Sequence, residues 1–163
     1  MSSSSSKQSR VSFASLTENN LGTVRKLNSV LFPIKYSEKF YQDILAPEVD
    51  EFCKLVYYND IPVGTICCRF ENKDDQNQLY LMTMGVLAPY RSRGLGSKAL
   101  ERVLAAASSH RPKIDKVYLH VQVSNDEAKK FYEANGFTLV STHEGYYKKI
   151  TPSDAWVLEK VVA

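Results

Sequence analysis

The 163-residue chain has no apolar run approaching the roughly 18 residues that a membrane-spanning helix needs, so a membrane role is not expected. Its first residues carry no apolar stretch of the kind that opens a secretory signal. Cysteine is scarce: Cys53, Cys67 and Cys68 are an odd number, two of them adjacent. That is no disulfide framework, and the absence of CxxC spacing removes the usual zinc signature. No metal is expected. Buried free thiols in a reducing compartment are, with the cytoplasm first and the nucleus second. There is no internal repeat, no interdomain linker and no large excess of one charge. Lys and Arg number 21 against 18 Asp and Glu, a formal net charge of +3. Mild basicity helps to attract an anionic ligand and does not mark a nucleic-acid protein.

What is present is ordinary globular composition, 44% hydrophobic and 24% charged. The length suits one domain, expected over residues 11–163. The Ser-rich stretch 1–10 cannot bury a core and is expected to be disordered. Val11, Phe13 and Ser15 predict a first strand. Leu21, Val24, Leu27 and Leu31 recur at helical spacing, with Thr17 as the N-cap and Pro33 closing the helix. Ser37 caps a second helix through Leu45. Residues 54–58 and 63–70 read as strands around an Asn59-Asp60 turn, and 72–78 as a polar loop.

Residues 79–87 read as another strand. Gly85 inside it signals a bulge or the close approach of another group. Leu95, Ala99, Val103 and Ala106 predict a helix that Pro112 ends. Val117, Leu119, Val121 and Val123 form one face of a strand, with Tyr118, His120 and Gln122 on the other. Ser124 and Glu127 read as a capping box for a helix ending at Gly136. Residues 137–140, 146–150 and 156–161 read as closing strands. The class is α+β, a mixed three-layer α/β/α arrangement with one parallel crossover around the helix after Leu95.

The most informative segment runs from Gly85 to Leu100. A strand enters a loop containing Arg91, Arg93, Gly94 and Gly96, and a helix follows. Backbone N–H groups at a helix start, glycines that admit close approach and two arginines are chemistry for a pyrophosphate. A tight loop with solvated arginines would read the same way. Gly96-Ser97-Lys98 has the wrong order for a P-loop. Gly94-x-Gly96-x-x-Ala99 fits a dinucleotide fingerprint literally, but no carboxylate ends the next strand, where Val123-Ser124-Asn125 stands.

Arg91-Ser-Arg-Gly94-Leu-Gly96, with the later Asn125, Ala128, Phe131, Tyr132, Gly136 and Phe137, resembles the two signatures of the GNAT N-acetyltransferase superfamily. The resemblance spans residues 11–161. Leu31 to Tyr36, Tyr80 to Arg91, Tyr118 to Gln122 and Tyr146-Tyr147 are similar to the N-terminal α-amino acetyltransferases, in particular the catalytic subunit of the NatE type. The resemblance implies a GNAT fold with a twisted, splayed, mostly antiparallel sheet and flanking helices. It implies acetyl-CoA as co-substrate, held by Met84, Val86, Arg91, Ser92, Arg93, Gly94, Leu95, Gly96, Ser97, Asn125 and Tyr132. Phe32, Pro33, Ile34, Tyr36, Met82, Tyr146 and Tyr147 would form the acceptor pocket for a Met side chain. The acceptors would be nascent polypeptide N-termini, and the partners the NatA complex and the ribosome.

The choice of amine can be argued from pKa. An α-amine, at about 7.7–8.0, is roughly one-tenth neutral near pH 7, whereas a lysine, at about 10.4, is neutral to under roughly 0.1%. The strand at 79–87 contains no Asp or Glu to deprotonate a lysine. It offers Tyr80, and the neighbouring strand offers His120. A histidine near its ordinary pKa, working through water, suits an α-amine. Taken alone, His120 reads equally as a structural histidine and Tyr80 as a cross-strand aromatic. The resemblance assigns Tyr80, His120 and Tyr132 the catalytic role, by direct attack without a covalent enzyme intermediate. His110 and His143 read as structural or solvent-facing. A lysine or small-amine acetyltransferase of the same fold, and a non-catalytic scaffold subunit, are the alternatives.

Overall fold

The computed structural model describes residues 9–162. Of the tail expected over 1–10, all but Ser9 and Arg10 lies outside them. Those two are tied down: the Tyr58 hydroxyl donates to Ser9 Oγ at 2.8 Å, and the Arg10 N–H donates to Asn59 Oδ1 at 2.8 Å.

The strands are β1 (Val11–Ser15), β2 (Cys53–Tyr58), β3 (Ile61–Lys73), β4 (Gln76–Val86), β5 (Lys116–Gln122), β6 (Thr138–His143) and β7 (Ala155–Val161). The helices are α1 (Leu21–Leu31), α2 (Glu38–Asp43), α3 (Leu95–Ser109) and α4 (Asp126–Ala134). The strands hydrogen-bond in the order β1-β2-β3-β4-β5-β7-β6. The β4–β5 pair is parallel, while β1–β2, β2–β3, β5–β7 and β6–β7 are antiparallel. The parallel pair follows from the crossover through α3, as the sequence predicts. Its ladder holds only Gln78–Lys116, Leu79–Val117 and Tyr80–Tyr118, and β5 runs on beyond it to Gln122.

The chain forms two compact units, one of residues up to Cys68 with Thr83–Val103, the other of Arg69–Met82 with Leu104 onward. In the first, Val24, Ile44, Phe52, Leu55, Ile66 and Leu100 are buried. Asn28 is buried too and is satisfied: it donates to the Tyr41 hydroxyl and accepts from Thr65 Oγ1, both at 3.3 Å. This fixes the end of α1 over β3. In the second unit, Leu79, Ile114, Val117, Leu119, Phe137 and Leu158 are buried. The strict alternation of burial along β5 leaves Tyr118, His120 and Gln122 on the opposite face.

Several local expectations are corrected. Asn20, not Thr17, is the N-cap of α1; the two residues bond reciprocally in the turn before it. Ser37 does cap α2 by accepting from the Phe40 N–H, but the helix stops at Asp43, before Leu45. The supposed loop at 72–78 is the end of a long β3–β4 hairpin whose turn is only Asp74-Asp75, both at positive φ. The N-cap of α4 is Asn125, which accepts from the Ala128 N–H at 3.2 Å, while Ser124 adopts φ +91 before it. Residues 146–150 are not a strand but an irregular connection between β6 and β7.

Candidate active site

In the second unit, β4 and β5 present Tyr80 and His120 to one another. The Tyr80 hydroxyl lies 2.8 Å from His120 Nδ1 and 2.7 Å from the Tyr146 hydroxyl. The rings of His120 and Tyr146 stack at 3.9 Å with an interplanar angle of 6°. Tyr146 also meets His143 and Tyr147 edge-on, at 5.0 and 4.9 Å. Tyr118 packs on Tyr80 at 4.7 Å, and the Arg69 guanidinium lies 4.9 Å from the Tyr80 ring centre. Arg69 also bonds Glu71 and reaches Met82 Sδ at 3.8 Å. A groove of about 650 Å³ runs beside this cluster and is lined by His120, Tyr118 and His143 among others.

Burial sets the charge states. It raises the Tyr80 phenol well above its ordinary range, and the bond to Tyr146 adds to the effect. Burial also pushes the Tyr147 phenol up to about 12. His120 moves the other way. Burial lowers it to about 4, helped by His143 and by the cations Lys73 and Arg69. At neutral pH His120 is therefore a neutral imidazole, and Tyr80 and Tyr147 are protonated phenols. In the tautomer with the proton on Nε2, Tyr80 donates to His120 Nδ1 and accepts from Tyr146.

This corrects the expectation of a histidine near its ordinary pKa. An ammonium of pKa about 8 would lose about 5 kcal/mol in giving its proton to such an imidazole. The cluster can orient a neutral amine and take up its proton as the nitrogen becomes acylated. It is poorly suited to deprotonating a lysine. No carboxylate lies on β4 to do so instead.

In the first unit, α1 gives way to an extended Phe32 because Pro33 follows. Phe32, Pro33, Ile34 and Tyr36 line a groove of about 410 Å³ together with Arg25 and Glu38, which pair bidentately at 2.8 Å. Phe32 and Tyr36 meet edge-on at 6.2 Å. The Phe32 ring rests on Gly85: a Cβ there would come within 3.0 Å of it. Gly85 thus marks the close approach that its position in a strand signalled.

The first unit also carries the glycine loop. Beyond β4 a short 3₁₀ turn over Ala88–Tyr90 leads to Arg91, whose Nε donates to the Val86 carbonyl at 2.9 Å. Ser92 and Gly94 have φ of +65 and +76. The first α3 bond runs from the Lys98 N–H to the Gly94 carbonyl at 3.0 Å, leaving the N–H groups of Leu95, Gly96 and Ser97 without intrahelical partners. The Leu95 side chain is buried, while Arg91, Ser92, Arg93 and Gly94 are exposed. The space over Gly94 is open, with no atom within 4 Å of where a Cβ would sit. Open space, free N–H groups and flanking arginines fit a pyrophosphate.

A profile of the acetyltransferase (GNAT) family matches residues 21–137. The chain belongs to the GNAT acetyltransferase family. It is 46% identical over 151 residues to N-alpha-acetyltransferase 50 of Danio rerio, covering 93% of this chain and 88% of that protein. It is 44% identical over 155 residues to the probable N-acetyltransferase san of Drosophila melanogaster, covering 95% and 83%. Among solved structures it is similar to Arabidopsis thaliana Naa50 in complex with the bisubstrate analogue CoA-Ac-MVNAL. There the TM-score is 0.84 at 44% identity, covering 92% of this chain and 97% of that one.

The remaining residues that the GNAT resemblance singled out fall in three places. Met84 and Val86 are half-buried on β4 before the loop. Asn125, expected on the cofactor's pantetheine arm, uses its side-chain oxygen to cap α4. Tyr132 is buried on α4 and packs edge-on against Phe131 and Phe137, at 5.1 and 5.7 Å. Sequence reasoning missed His143, Arg69 and Tyr118 as members of the aromatic cluster. Only the placement of Tyr118 beside His120 on one strand face could have signalled any of them.

Proposed function

We propose that this chain is an N-terminal α-amino acetyltransferase of the NatE type. It transfers acetyl from acetyl-CoA to the α-amine of polypeptides that begin with Met followed by a hydrophobic residue. The observation that carries this is the hydrogen-bonded Tyr80–His120–Tyr146 network beside a β4 strand without a carboxylate, in a chain 44% identical to a protein solved with CoA-Ac-MVNAL. Acetyl-CoA supplies an activated thioester. Leu95, Gly96 and Ser97 N–H groups with Arg91 and Arg93 hold its pyrophosphate. Tyr80 and His120 act on the amine proton through water, and Tyr132 serves the leaving thiolate. Phe32, Pro33, Ile34 and Tyr36 receive the first side chains of the acceptor; the NatE resemblance assigns acceptor contacts to Met82, Tyr146 and Tyr147 as well.

The test is acetyl transfer to peptides differing only in residues one and two. Burying one apolar side chain of this size is worth roughly 1.5–3 kcal/mol, so Met-Leu peptides should exceed Ser- or Ala-initiated ones by about ten- to a hundredfold in kcat/KM. Internal lysines should be poor acceptors. A flat first-residue profile would refute the pocket.

The same reading puts the enzyme on nascent chains beside the NatA complex at the ribosome, in the cytoplasm and also the nucleus. It is supported by the NatE resemblance and by three buried free cysteines, which suit a reducing compartment. Ribosome co-sedimentation and co-purification with NatA subunits test it. Absence from both fractions would sink it.

A further inference from the structure

We propose that His143 is a positioning residue for the acetyl transfer, acting through Tyr146. This rests on the reading of Tyr80, His120 and Tyr146 as the reacting centre. Tyr146 belongs to no strand, and its hydroxyl must nonetheless be placed within 2.7 Å of Tyr80. The backbone is pinned on either side of it. The Gly145 N–H donates to Asp154 Oδ1 at 2.8 Å, and the Tyr147 N–H donates to the Ser153 carbonyl at 2.8 Å. Pinning the backbone does not fix the side-chain torsions of Tyr146. Ring contacts do.

One of these contacts is the stack on His120. The others are edges, and His143 provides the one that is anchored in the sheet. It is the last residue of β6, in register with Ala155 of β7. His120, on the other side of β7, is in register with Val157. The two imidazoles reach over β7 to 5.5 Å from one another. His143 thus backs Tyr146 from the β6 side while His120 holds its face from the β5 side. Without the His143 ring, Tyr146 can swing toward the solvent-exposed end of β6, and Tyr80 loses the hydroxyl that its oxygen accepts from. The proton given to His120 Nδ1 is then less well directed.

The closing experiment measures initial rates of the full chain with acetyl-CoA and a Met-Leu peptide. Aromatic edge contacts are worth enough to predict an about three- to tenfold fall in kcat for His143→Ala, with melting temperature and CoA affinity unchanged. His143→Phe keeps a ring edge and should recover the wild-type rate. In a Tyr146→Phe background, His143→Ala should have no further effect, because the hydroxyl it positions is gone. A wild-type rate for His143→Ala would overturn the proposal. So would a His143→Phe variant as slow as His143→Ala, or a full additional loss in the Tyr146→Phe background. If Tyr80→Phe and Tyr146→Phe themselves run at the wild-type rate, the reading of the centre falls and the proposal falls with it.

Discussion

The Tyr80 hydroxyl lies 2.8 Å from Nδ1 of His120, and the burial that surrounds this pair holds the imidazole down to about 4. The histidine is a hydrogen-bond partner throughout the physiological range and is never half-titrated there. The group that titrates near neutrality is then the substrate amine, at about 7.7–8.0. For a Met-Leu peptide, log kcat/KM should climb with slope one up to about pH 8 and show no break between pH 6 and 7. Lowering the amine pKa of the peptide should move that break down with it. A break near pH 6.5 that stays put when the peptide is changed would mean that His120 titrates as an ordinary base.

The same shift makes a stability prediction. His120 has a folded-state pKa of about 4, against about 6.5 when unfolded. Below 6.5 the unfolded chain binds the proton more readily than the folded one. The contribution is therefore fully present above pH 6.5 and is lost as pH falls toward 4. Denaturant melts should show wild-type stability falling over this window, with a smaller fall in His120→Asn. Identical pH dependence of the two proteins would show that His120 is not desolvated.

The legibility of this molecule in its sequence follows the apolar signal. Val117, Leu119 and Val121 alternate on a strand with one dry face, so β5 and the placement of His120 opposite them could be read directly. Residues 72–78 carry no apolar alternation: the hairpin end at 72–76 is exposed on both faces, and the residue of β4 that first turns inward, Gln78, is polar. They read as loop for that reason. Tyr146 to Ile150 carries the opposite trap, since aromatic residues mimic a strand while their contacts are with side chains from other elements. Asn125 was legible as a polar residue before a helix but not as its cap, because Ser124 offered a rival. His143 had no signal at all. Its partners Tyr146 and His120 are brought to it by loop geometry and by a neighbour-but-one strand, neither of which leaves a spacing in the chain.

Gly94 has φ +76 and open space around a notional Cβ. A side chain there meets strain and not a clash. Gly94→Val should destabilise the free protein by about 1–2 kcal/mol, the cost of a left-handed residue with a Cβ. Its larger effect should be on CoA, because the added branches fill the space over the Leu95 and Gly96 N–H groups. Calorimetry should find little or no CoA binding at a temperature where circular dichroism shows the chain still folded. Unchanged CoA affinity would remove the loop from the cofactor site.

Phe32 and Gly85 make a matched pair. A Cβ at Gly85 would lie 3.0 Å from the Phe32 ring and 3.2 Å from Leu31, so the half-buried ring has to shift by a few tenths of an ångström. Gly85→Ala should raise the KM for Met-Leu peptide while leaving CoA affinity alone, as should Phe32→Ala. By contrast, a Cβ at Gly64 would lie 2.5 Å from the Gly85 carbonyl oxygen, which is backbone and cannot step aside. Gly64→Ala should cost about 1–3 kcal/mol of stability, as overpacking does. Thermal melts together with peptide titrations separate the two. A Gly85→Ala variant with unchanged peptide KM would detach Phe32 from the acceptor pocket.

Tyr80 and His120 can be tested as one unit. Tyr80 bridges His120 Nδ1 and the Tyr146 hydroxyl, so Tyr80→Phe leaves both groups without their partner, and His120→Ala leaves the phenol without its acceptor. General acid–base help is typically worth about 10²–10⁴-fold. Here each single variant should lose about 10²-fold in kcat or somewhat less, because the amine arrives partly neutral and His120 is a weak base. CoA affinity should be unchanged in both. The double variant should be little worse than the poorer single, since residues that act together lose their shared contribution once. The pH profiles of wild type and His120→Ala should run parallel up to about pH 8, because both follow the substrate amine. Multiplicative losses in the double variant would mean that the two side chains position the peptide independently. The 2.8 Å contact would then be packing without a shared role in moving the proton.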